Sequence, residues 1–180
     1  MKRPHHLLAT GVALVATALA QPVRAAGTLA GTLIQNTATA TFSTGSGVMT
    51  LHSNTNTVKV DQLIGVAVTG LISTPVPIGA STAVLSYQVT NTGNGADSFD
   101  LGGTTNVAGN AFAASLQAVA IDTNGNGVYD PGVDMVIANG SAGQAIAPDG
   151  TMRVFLIVAA PSGVTDLQTA QVRLTATSVI

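Results

Sequence analysis

Asp122 to Asp134, reading DTNGNGVYDPGVD, carries oxygen-bearing side chains at a spacing that suits a hard cation. With Asp122 as position one, Asn124 stands at three, Asn126 at five and Asp130 at nine, and the backbone carbonyl of Val128 falls at seven. Alternate side chains converge when the backbone curls around an ion, and a glycine at position six, here Gly127, permits the sharp turn. This is the ligand order of an EF-hand-type loop. Calcium accepts neutral amides among its oxygen ligands, whereas magnesium wants a stricter octahedron and keeps its waters, so calcium is the expected ion and magnesium the second choice. The far end departs from the pattern, because position twelve is Val133 and the carboxylate is Asp134 at thirteen. The tight Asp130-Pro131-Gly132 turn is expected to return Asp134 to the ion. The expected donors are therefore Asp122, Asn124, Asn126, Val128, Asp130 and Asp134.

A plain hydrophilic turn would explain the two Asn-Gly pairs, since both residues accept left-handed backbone angles. It would not call for Asp at one, nine and thirteen, because three crowded carboxylates repel one another without a cation. At an affinity of ~0.1 mM, usual for extracellular modules, millimolar calcium would stabilise the fold by ~1.4 kcal/mol. The role expected is structural: the ion stiffens a long loop.

The elements that must hold this loop are strands. Val119–Ile121 and Met135–Ile137 flank it as short apolar runs, and a period of two recurs along the chain without a convincing helical period. Leu85, Tyr87 and Val89 alternate with Ser86, Gln88 and Thr90. Met152, Val154, Leu156 and Val158 share one face of a segment whose other face, Arg153, Phe155, Ile157 and Ala159, is also largely apolar. That strand should be central and covered on both sides. Ala170, Val172, Leu174 and Ala176 should point inward against a polar outer face. Strands are expected at about 64–69, 83–91, 96–101, 113–121, 135–138, 151–160 and 168–179, separated by Gly, Asn and Pro clusters such as 91–95 and 161–163. The fold class expected is all-β: an Ig-like antiparallel β-sandwich of about seven strands over residues 62–180, with extra N-terminal β-strands.

Those extra strands lie in residues 26–61. NTATATF sets Ala38, Ala40 and Phe42 against Thr37, Thr39 and Thr41, STGSG turns, and VMTLH and SNTNTVKVD follow. They hold too little apolar surface for a core of their own. They should extend the sheets of the sandwich or pair with another molecule.

Residues 1–25 read as a signal peptide: Lys2 and Arg3, an apolar run from Leu7 to Ala20, and a small-residue site for cleavage after Ala25, or alternatively after Ala20. Export by the Sec-type route to the extracellular space, the cell surface or the periplasm is expected. The remaining chain keeps Lys59, Arg153 and Arg173 against 8 Asp, a net −5, and has no cysteine. Lacking a basic stripe or a second long apolar run, it is expected to bind no nucleic acid and to span no membrane. The chain ends within a strand without a sorting motif, so it should be held at the surface by contacts alone or belong to a longer chain. After cleavage His52 is the one histidine, there is no thiol, and nothing marks a nucleophile elbow, so no enzyme activity is expected.

VTNTGNGADSFDL, followed by APDGTMRVFLIVAAPSGVTDLQTAQVRLTATS, resembles the Ig-like repeat domains of bacterial cell-surface proteins over about residues 28–179. The shared signs are the strand ending in Asn91, Gly93 and Asn94 and a proline-initiated loop before a V-x-L-T-A-T strand. The loop at 122–134 is similar to those of bacterial surface repeats, including the B domains of serine-aspartate repeat proteins. The resemblance implies a stalk, adhesin or matrix component and brings no catalytic residues. Two roles stay open. One is a structural subunit that assembles with itself by strand addition or exchange. The other is a monomeric module that binds a glycan, another surface protein or another cell.

Overall fold

The computed structural model describes residues 27–44, 46–78 and 82–180, and the expected leader, residues 1–25, lies outside them. Twelve strands follow one another without a helix among the described residues: β1 (Leu33–Asn36), β2 (Thr39–Thr44), β3 (Gly47–His52), β4 (Asn56–Lys59), β5 (Val66–Gly70), β6 (Ala83–Asn91), β7 (Phe99–Thr104), β8 (Ser115–Ile121), β9 (Met135–Ile137), β10 (Ser141–Ala142), β11 (Thr151–Ala159) and β12 (Arg173–Ser178). Five of them form one sheet in the order β5-β6-β11-β8-β9, and three form a second in the order β10-β7-β12. All pairings are antiparallel.

Strand β11 is central because both of its faces are apolar. Its inward residues Val154 and Leu156 are fully buried with Val89, Phe99, Leu101, Val119 and Leu174, the core between the two sheets. Burial of each such side chain stabilises by roughly 1.5–3 kcal/mol. The opposite face of β11 makes a second, smaller cluster, in which Phe155 and Ile157 pack with Ala120. Among the described residues no second sheet covers that face; Tyr129, from the loop after β8, does so, its ring 6.0 Å from that of Phe155 at 58°.

Strands β1–β4 behave differently from the expected sheet extension. Among the described residues they pair only with one another, β1 with β4 and β2 with β3. Together they form one long hairpin whose two ladders are joined by Ser53 N donating to Ala38 O at 2.8 Å. Every described side chain of this arm is exposed. The β2–β3 ladder joins strands adjacent in sequence, at little loop-closure cost.

The register makes the arm two-faced. Phe42 stands opposite Met49, Ala40 opposite Leu51 and Ile34 opposite Val58, so these apolar pairs share a face within each ladder. The other face is a ladder of hydroxyls. Thr41 meets Thr50 at 3.3 Å, Thr37 meets Thr55 at 2.9 Å, and Thr39 meets the Nδ1 of His52 at 3.0 Å.

Candidate functional site

The loop from Asp122 to Asp134 joins two adjacent antiparallel strands, since Val119–Ile121 of β8 pairs with Met135–Ile137 of β9. It therefore starts and ends on one rigid edge. Inside it, side chains fold the backbone. The two carboxylate oxygens of Asp122 accept the amides of Gly125 at 2.7 Å and Gly127 at 2.9 Å. Asn124 Oδ1 accepts the amide of Asn126 at 3.0 Å, and Asn126 Oδ1 that of Val128 at 2.8 Å. Both asparagines turn their Nδ2 groups to one oxygen, Asp130 Oδ2, at 2.9 and 2.6 Å.

The structure thus gathers Asn124, Asn126 and Asp130 directly, with Asp122 bracing the turn beneath them. Val128 is exposed on the loop. Asp134 is 5% exposed, and its oxygens accept the amides of Thr123 at 3.1 Å and Asp130 at 2.8 Å, so it clasps the two ends of the loop together. Thr123, not singled out in the sequence, helps close the mouth: its hydroxyl accepts the amide of Met135 at 3.1 Å and donates to Ile121 O at 3.2 Å.

Asn124 and Asn126 face Asp130 Oδ2 with their Nδ2 donors, while their Oδ1 atoms accept backbone amides, so a hard cation at Asp130 would require both side-chain amides to turn their oxygens inward. Among the described residues no three Asp, Glu, His or Cys side chains converge as a metal-holding group.

Two side chains of the sheet fasten the loop from below. Tyr129 packs on Phe155, and the guanidinium of Arg153 lies against Gly127. Gly127 has φ 82°, and a Cβ there would overlap Arg153 Nη1, so both backbone and space demand glycine. Alternation on β11 explains the arrangement, because Arg153 and Phe155 point to the same outer face.

A second constellation sits at residues 91–95, where the arm joins the sandwich. Asn91 is 1% exposed; its Nδ2 donates to Gly95 O and Ile146 O, both at 2.8 Å, and its Oδ1 accepts the amide of Gly93 at 2.9 Å. Asn94 ties down the root of the arm. Its Oδ1 accepts the amide of Leu63 at 2.7 Å, while Nδ2 donates to Thr28 O at 3.1 Å and Asp61 O at 3.0 Å. Gly93 lies so close to Leu63 O that a side chain could not fit. The Asn-Thr-Gly-Asn signal was visible as a turn, but its service as an anchor depends on contacts from 27 to 66 residues away in the chain and could not be read from it.

No family model, curated protein or solved structure matches the chain. No helix among the described residues is long and apolar enough to cross a membrane.

Proposed function

We propose that this chain is an exported, non-catalytic structural protein of a cell surface or extracellular matrix, stabilised by calcium and assembling with copies of itself through β-strand contacts. The observation that carries the reading is the arm, a hairpin with exposed apolar pairs in each of its two ladders and, among the described residues, nothing upon them. An isolated two-stranded hairpin is marginal in water, so a partner that covers it supplies what the chain itself does not. The exposed partner-facing residues are Ile34 at 51%, Val58 at 64%, Phe42 at 43%, Met49 at 50% and Leu51 at 55%. Calcium at Asp130 takes the place of the two Nδ2 groups, the Asn124 and Asn126 amides turning their oxygens to it, and stiffens the loop that covers Phe155.

Electron microscopy and sedimentation of the purified protein, with calcium and with chelator, test both halves. Filaments or large oligomers are expected with calcium, and removal of residues 26–61 should leave a folded monomer. Persistent monomers of the full protein under all conditions would overturn the assembly reading.

A further inference from the structure

We infer that the cleft at the end of the five-stranded sheet, beside the 122–134 loop, binds an acidic sugar whose carboxylate is anchored by Arg153. The cleft opens between the start of that loop and residues 144–150, and its volume is about 440 Å³. That lies within the ~300–1,000 Å³ of small-molecule sites. Arg153 and Gln88 stand opposite each other in the β6–β11 ladder, so both side chains rise from the outer face of the sheet. They line the cleft together with Asp122, Gln144 and Thr151. The state of Arg153 points to a ligand. It is half-buried against Gly127, and among the described residues no hydrogen bond or ion pair engages its guanidinium. A guanidinium withdrawn from water is costly unless an anion and hydrogen bonds compensate. Its planar fork of donors matches a carboxylate. Asp122, the acid of the lining, does not supply that anion, because its two oxygens accept the amides of Gly125 and Gly127.

The rest of the lining selects among anions. One cation beside one acid suits a single negative charge and disfavours a phosphate monoester, whose charge approaches −2. The side-chain amides of Gln88 and Gln144 and the hydroxyl of Thr151 make no hydrogen bond among the described residues. Each of these groups can both donate and accept. Neighbouring sugar hydroxyls ask for that mixture, so a uronic acid presents its carboxylate to Arg153 and its ring hydroxyls to the two glutamines. A fatty or aromatic acid would need apolar walls, and the large apolar residues of the cleft, Ile121 and Met152, are spent in the core between the sheets. Binding of this kind needs neither a second copy of the chain nor a cation in the loop.

The test is titration calorimetry of the purified protein with a short oligomer of galacturonic acid, in chelator so that no calcium bridges sugar and loop. The neutral galactose oligomer and a peptide with a free terminal carboxylate are titrated beside it. The acidic oligomer should bind, and the other two should not. Arg153→Gln should weaken binding by about tenfold or more, as loss of a charge-assisted pair does. Gln88→Ala and Gln144→Ala should each weaken it by a smaller factor, while Arg173→Gln, on an exposed position of β12, should leave it unchanged. Arg153 also lies against Gly127, so thermal melting first establishes that its variant folds like the parent. Should it melt early, the two glutamine variants make the comparison without it. Absence of binding by the parent, binding that needs calcium, equal binding of the neutral oligomer, or an equal loss in Arg173→Gln overturns the site. Binding of the peptide in place of the acidic oligomer overturns the sugar as its ligand.

Discussion

The arm and the sandwich are composed alike, in Thr, Val, Ala and Asn with alternating faces, yet only the sandwich buries what it alternates. Strand β11 shows what makes the difference. Its neighbours β6 and β8 pair with it on both sides, and residues from the second sheet and from Tyr129 close over its faces. Among the described residues strand β2 has one neighbour, β3, and no layer on either face. Alternation marks a surface as suited to burial; the number of layers the chain folds over it decides whether burial happens within one copy.

Identical chemistry placed in the two regions should separate them. Phe155→Ala, in the dry cluster under Tyr129, should lower stability by ~3–5 kcal/mol in denaturant unfolding, as large-to-small changes in packed sites do. Asn91→Ala should cost ~2–3 kcal/mol by the same measurement, since it takes the acceptor from the buried Gly93 amide and a donor from the carbonyls of Gly95 and Ile146, the latter keeping the Asp97 amide. Asp122→Ala should lower the melting temperature in chelator, because the Gly125 and Gly127 amides lose their acceptor, and in calcium by the equivalent of a further ~1.4 kcal/mol; equal shifts in both would remove the metal from the account. Tyr87→Phe should cost ~1 kcal/mol by removing the 2.7 Å bond from the phenol to Val172 O. Burial pushes the Tyr87 phenol above its usual value, so its stabilisation is present below pH ~10 and is lost as pH rises through the raised folded value. The Phe variant should therefore show a shallower alkaline decline. Phe42→Ala in the arm should change stability by no more than ~0.5 kcal/mol while removing assembly, the reverse of Phe155→Ala.

Much of this architecture was legible in residue spacing. The strand expected at 83–91 is β6 residue for residue, and that at 151–160 is β11 to within one residue. Hydrophobic alternation is strongest where both faces or one whole face is buried, and there it marks strands reliably. The strand expected at 96–101 lies instead at Phe99–Thr104, because Asp97 is used in an isolated bridge to Ile146 and the β12 ladder starts at Phe99. Strand β10, two residues long, is below what a period can mark. The loop at 122–134 was legible as a curled, oxygen-rich turn, and its flanks as strands. The clasp formed by Asp134 and the support from Arg153 and Tyr129 were not, because they depend on which face of a strand lies beneath the loop. The arm's turn was readable from its glycines, but its independence was not: alternation gives a strand its faces and says nothing of which neighbour will take its hydrogen bonds.

The ring pair of Tyr129 and Phe155 has an optical consequence. The protein contains no tryptophan and 2 tyrosines, and one of these sits on the loop itself while the other is fixed by its bond to Val172 O. Near-ultraviolet emission from the whole molecule is then a two-source signal, one source steady and one placed where the loop tightens or loosens. If the proposed calcium binds the loop, adding it to unlabelled protein should change this emission and leave that of Tyr129→Phe unchanged.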